Sequence, residues 1–102
     1  MIYVIGDLML DSYINGEVNR LSPEAPVPIL LKSDESFILG GACNVASNIK
    51  NLTKKVKYFG IVGDDKNAEL VKKLLGSSEI DAHLIFSENA PTIKKTRFFS
   101  CN

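Results

Sequence analysis

Short apolar runs alternate along this chain with two amphipathic helical segments, and that order limits the fold more than any other feature. Ile2-Tyr3-Val4-Ile5-Gly6 is a β-rich run ended by glycine and Asp7, as in a buried parallel strand that delivers its carboxylate into a loop. Gly40-Gly41 breaks the chain before a segment in which Ala42, Val45, Ala46, Ile49 and Leu52 recur at helical spacing as one apolar stripe. Val56 to Val62 is the next strand, closed by Gly63-Asp64-Asp65. A second helix follows, with Ala68, Val71, Leu74 and Leu75 inward and Lys66, Glu69, Lys72 and Lys73 outward; Gly76 is placed as its C′ residue. Ile80 to Phe86 and Thr92 to Phe99 read as two more strands. Strand, helix, strand, helix, strand predicts a doubly wound α/β fold with a parallel sheet.

The segments between residues 12 and 38 stand outside that alternation. Ser12 to Val18 alternates weakly, with Asn15-Gly16 as a turn signal. Ser22-Pro23 could open a helix, but Pro26 and Pro28 stop it at once, and Val27 to Leu31 suits an extended edge strand. Segments 12–18 and 27–38 are therefore expected to form a small β insertion projecting from the sheet. A length of 102 residues allows one domain at most. Twelve basic residues balance twelve acidic ones, which gives no pull toward nucleic acid or an anionic membrane. No apolar run approaches the about 20 residues of a membrane span, and the first residues lack a signal peptide's basic n-region. A cytoplasmic location follows as an expectation. Cys43 and Cys101, far apart and without metal-spaced neighbours, read as two reduced thiols, and no metal site is expected.

Candidate chemistry clusters after the strands. Asp7 and Asp11 follow the first strand, at the carboxyl edge where open α/β sheets place ligands. Asp7 reads as a turn cap, whereas Asp11 is either solvated or a hydrogen-bond acceptor for a sugar's hydroxyls. Gly40 and Gly41 precede Asn44 at a helix start, which is either a plain loop-to-helix junction or a place where a ligand nears the backbone. The Gly-Lys-Ser/Thr ending of a Walker loop is missing. Asp64 and Asp65 look like a catalytic pair, but acidic residues opening a helix more simply cap it. His83 has no partner in sequence and reads as structural. Alternation puts Lys95 and Arg97 on one strand face and Lys94 on the other; they suit a phosphate site or an edge strand defended by lysines.

Taken together these residues resemble the ribokinase-like, pfkB-type sugar kinases, and within them the kinase part of bacterial heptose-7-phosphate kinases. The matching pieces are Gly6-Asp7-Leu8-Met9-Leu10-Asp11, Leu21-Ser22-Pro23-Glu24-Ala25-Pro26-Val27-Pro28, Gly40-Gly41-Ala42-Cys43-Asn44-Val45-Ala46, Gly60-Ile61-Val62-Gly63-Asp64-Asp65 and Pro91-Thr92-Ile93-Lys94-Lys95-Thr96-Arg97. The glycine-asparagine block marks the superfamily, and the proline-rich block narrows it to the heptose kinases. The resemblance implies a three-layer ribokinase-like α/β fold, of which residues 1–102 are the N-terminal portion, with a small β lid over the sugar. It implies that Asp11, Gly40, Gly41 and Asn44 contact the sugar's hydroxyls and that Pro26 and Val27 close over it. Lys95 and Arg97 would face its phosphate.

The implied reaction moves the ATP γ-phosphate to the anomeric hydroxyl of D-glycero-D-manno-heptose 7-phosphate, for the lipopolysaccharide core. ATP and Mg²⁺ belong to the full-length enzyme. The family's catalytic aspartate, in a Gly-Ala-Gly-Asp motif, does not occur before Asn102, so the chain alone is expected to be inactive and to bind neither cofactor. It is also expected to associate with itself, through an open strand edge at Ile2–Ile5 or through the lid. Two other readings share the same residues: a ribokinase-like kinase of another sugar or nucleoside, and a noncatalytic sugar-binding module. A phosphoacceptor signalling domain is disfavoured, because the third strand ends at Phe86-Ser87-Glu88 without an acceptor aspartate.

Overall fold

The computed structural model describes residues 1–53 and 55–100. Its elements run β1 (Ile2–Ile5), β2 (Leu8–Leu21), β3 (Pro28–Gly41), α1 (Ala42–Thr53), β4 (Val56–Gly63), α2 (Lys66–Ser78), β5 (Asp81–Ser87) and β6 (Ile93–Ser100). Two three-stranded sheets result. The first is parallel, in the order β1-β4-β5, and the second has the order β3-β2-β6.

Both helices pack on one face of the parallel sheet. Val56, Tyr58 and Val62 from that face of β4 meet Cys43 and Ala46 of α1 and Ala68, Val71 and Leu75 of α2 in one buried cluster. The Tyr58 hydroxyl crosses from β4 to donate to the Gly6 carbonyl at 2.8 Å. Burial pushes its pKa up to about 12, and that of the Cys43 thiol to about 11. Cys43 is thus a reduced, buried thiol as expected; Cys101 lies outside the described residues. Among the described residues no helix is long and apolar enough to cross a membrane.

The stripe predicted on α1 is only partly the buried one. Val45 and Leu52 are 50% and 85% exposed, while Cys43 and Ala46 face the sheet. The cause is close approach: a Cβ on Gly6, just after β1, would come within 2.9 Å of the Ala42 Cβ. Small residues therefore line the contact and larger ones turn away. Helix α2 also runs past Gly76, and Glu79 takes the left-handed C-cap position at φ 62°. The Ser78 hydroxyl donates to the Leu75 carbonyl at 2.7 Å and accepts from the Ile80 amide at 3.3 Å, so the last turn is satisfied without a glycine.

The β insertion is larger than the sequence suggests. β2 and β3, each of 14 residues, form a long antiparallel hairpin. Asn15-Gly16, read as a turn, sits inside β2 at a register shift, and the reversal is made by Ser22 to Val27 instead. There the Ser22 amide donates to the Val27 carbonyl at 2.8 Å, and the Glu24 amide to the Ser22 hydroxyl at 3.2 Å. The last strand was expected only as a strand, and the structure shows which sheet it joins. β6 does not extend the sheet of β4 and β5; it crosses to the second sheet and pairs in parallel with β2, Met9 opposite Ile93 through Gly16 opposite Ser100. Alternation alone cannot tell which of two sheets a strand joins.

Candidate functional site

Strand β2 presents two chemically different faces. Leu8, Leu10 and Ser12 are buried, and alternation puts Met9, Asp11 and Tyr13 on the opposite, open face. Cross-strand register then fixes their neighbours. Asp11 stands opposite Ile38 of β3 and Lys95 of β6, and Tyr13 opposite Ser36 and Arg97. The second sheet therefore assembles one carboxylate and two cations on a single face, from strands that are far apart in sequence.

Gly40 shapes the ground beneath the carboxylate. A Cβ added to it would come within 2.9 Å of the Asp11 Cγ, so the Asp11 carboxyl group lies over bare glycine backbone. Gly41 next to it has φ 63° and turns the chain into α1, where the Ala42 amide donates to the Asp7 carbonyl at 2.8 Å. This is a left-handed position that suits glycine, and it leaves Asp7 acting through its backbone. Asn44, exposed in the first turn of α1, lines a cleft of about 260 Å³ with Phe37 and Leu39, which stand opposite Ser12 and Leu10 on the side of the sheet away from Asp11.

On β6 the Arg97 Nη1 donates to the Tyr13 hydroxyl at 3.2 Å, and its guanidinium lies 5.5 Å from the Tyr13 ring centroid. That ring stacks in turn on Phe99, with centroids 6.0 Å apart. Tyr13 was not singled out in the sequence, although its place two residues after Asp11 puts it on the same strand face. Lys94 points the other way, as alternation requires. It lies 3.7 Å from Glu35 and over the Phe37 ring. Hydrogen bonds from Ser12 and Lys32 hold the Glu35 carboxyl below the usual range.

Pro26 and Val27 are not brought to this group. They sit in the turn beyond Leu21 and Pro28, about 33 Å along the hairpin from Asp11 at 3.3 Å per residue. Asp64 is exposed and apart. Asp65 caps α2, accepting from the Ala68 amide at 2.8 Å. The Thr92 amide, its hydroxyl and then the Ala68 amide together lower the Asp65 pKa. His83 pairs with Asp81 at 3.0 Å and stacks on Phe59, a structural role as read. Among the described residues no three His, Cys, Asp or Glu side chains come together to hold a metal ion.

The model of the pfkB family carbohydrate kinases matches residues 1–100. Bifunctional protein HldE of Koribacter versatilis is 44% identical over 99 residues, which is 97% of this chain and 20% of that protein. The chain thus spans about a fifth of the length of the curated relatives it matches. Among solved structures, a putative phosphofructokinase from Staphylococcus aureus superposes with a TM-score of 0.77 at 18% identity, over 100% of this chain and 32% of that one. The tetrameric inhibited form of phosphofructokinase-2 from Escherichia coli gives 0.75 at 21% identity, over 97% of this chain and 31% of that one. These two carry the fold, which is the ribokinase-like α/β architecture expected from the sequence.

Proposed function

This chain belongs to the pfkB family of carbohydrate kinases, and from that premise we propose that it is the sugar-binding part of an enzyme that phosphorylates the anomeric hydroxyl of D-glycero-D-manno-heptose 7-phosphate. The observation that carries the reading is the shared open face of Asp11, Lys95 and Arg97 on two adjacent strands, β2 and β6. A carboxylate accepts hydrogen bonds from sugar hydroxyls, and a Lys–Arg pair takes a phosphate through charge-assisted bonds. Lys95 stands opposite Asp11 and Arg97 two residues further along β6, about 7 Å at strand spacing, so the carboxylate and the farther cation can meet opposite ends of one small molecule. Gly40 gives the sugar access to backbone, and Gly41 and Asn44 follow it at the start of α1. The heptose is favoured by the 44% identity to an HldE protein.

In this reading the chain's residues bind and orient the acceptor. In the complete enzyme, which works in the cytoplasm, ATP would supply the transferred phosphoryl group and Mg²⁺ would neutralise its phosphates. Residues 1–102 are the N-terminal portion of its kinase domain, with the second sheet as lid, and have no kinase activity alone. Pro26 and Val27 stand too far along the hairpin to share this sugar. The test is a substrate panel on the full-length enzyme. Heptose 7-phosphate should give the highest kcat/KM. A nucleoside or an unphosphorylated sugar used equally well would instead support the wider ribokinase-like reading.

A further inference from the structure

The start of β6 is tied to the core more tightly than a connecting loop requires. Thr92 is 4% exposed although Pro91 and Ile93 beside it are exposed. Its amide donates to Asp65 Oδ2 at 2.9 Å, and its hydroxyl donates to Asp65 Oδ1 at 2.8 Å. The same hydroxyl accepts from the Gly63 amide at 2.9 Å. Asp65 Oδ1 also accepts from the Ala68 amide at 2.8 Å. The end of β4, the first turn of α2 and the start of β6 therefore meet in one closed set of hydrogen bonds. Gly63 makes room for it, since a Cβ there would come within 2.6 Å of the Ala90 carbonyl oxygen and 2.8 Å of the Thr92 nitrogen. A helix cap alone would need only the Ala68 bond. The two further bonds from Thr92 to Asp65 have no role in capping.

What they fix is register. β6 is an edge strand, paired with β2 alone in its sheet. Because side chains alternate, a slip of one residue would carry Lys95 and Arg97 to the Glu35 side and bring Lys94 and Thr96 to the Asp11 side. Nothing in the strand's own pattern strongly opposes that slip. Ile93, Phe98 and Phe99 are all partly exposed, and Lys94 and Lys95 are alike. We propose that Asp65 and Thr92 are positioning residues, forming a clamp that fixes where β6 leaves the core and so holds Lys95 and Arg97 on the same face as Asp11. The clamp itself stands on the hydrogen bonds; its consequence for substrate rests on the sugar-phosphate reading above.

The test uses the full-length kinase with Thr92→Val, which keeps shape and removes the hydroxyl, and Thr92→Ser, which keeps it. Asp65→Asn, which retains a capping oxygen but offers Thr92 a donor, serves as the second route should Thr92→Val fail to fold. Amide hydrogen exchange without substrate should speed up about ten-fold over Ile93–Arg97 while that of β4 stays within about two-fold. KM for the sugar phosphate should rise about ten-fold with KM for ATP nearly constant, and Thr92→Ser should restore both. Unchanged exchange in β6, equal loosening of β4 and β6, or a parallel rise of both KM values would overturn the clamp. Lys95→Ala and Arg97→Ala separate the two claims. If they leave the sugar KM unchanged while Thr92→Val still loosens β6 selectively, the clamp stands and the phosphate reading falls. If they raise it while Thr92→Val loosens β6 without effect on KM, the positioning role falls.

Discussion

Asp11 and Gly40 act as one unit at the scale of single residues. The carboxyl group occupies the space that a side chain at Gly40 would fill, with the Asp11 Cγ within 2.9 Å of a built Cβ. Gly40 lacks a positive φ, so alanine there meets no backbone strain. The atoms it would displace belong to the end of a short side chain on the open face, and they can move cheaply. Gly40 is buried beneath that carboxyl group; Gly40→Ala should therefore cost about 1 kcal/mol, the low end for overpacking. It should still weaken binding of the sugar by turning the Asp11 carboxylate aside, about ten-fold for one misplaced charge-assisted bond. Thermal unfolding beside a binding titration checks this. Loss of stability in step with loss of affinity would show that Gly40 serves the fold and not the ligand.

At the scale of elements, the sequence revealed what repeats and hid what depends on partners. β4, β5 and both helices were legible because their apolar periods are set locally by packing in one core; β1 was legible as a strand, but of it only Val4 packs on that core and Ile2, Tyr3 and Ile5 are exposed, not buried as expected. The buried side of α1 was legible only in part, since Val45 and Leu52 carry the right period but the close contact of Ala42 with Gly6 sets the phase. Within the candidate site, Asp11 and the Gly40–Asn44 block stood out through their places after a strand and before a helix. Tyr13 did not, because its value lies in Arg97, which is brought beside it by a parallel pairing of strands 84 residues apart. The role of Thr92 was hidden for the same reason. A buried threonine inside a short polar loop has no local signature, and only the neighbouring Asp65 explains it.

At the scale of the whole molecule, the parallel sheet has one covered face and one open face. Tyr3, Ile5, Ile61 and Ile85 on the open face are between 59% and 78% exposed, whereas parallel sheets are ordinarily covered on both sides. β1 is also an edge strand, able to pair with another chain. The 102-residue chain should therefore sediment as a dimer or larger species as concentration rises, and a compact monomer throughout would contradict this. The central claim, that the open face of the second sheet holds the sugar, is tested most directly by Asp11→Asn in the full-length kinase. Carboxylate–hydroxyl bonds contribute about 1.5–3 kcal/mol, so calorimetric titration should show affinity for heptose 7-phosphate reduced about 10- to 150-fold. Affinity for ATP should be unchanged. Equal losses for the two ligands, or none for the sugar, would contradict the assignment of this face as the sugar site.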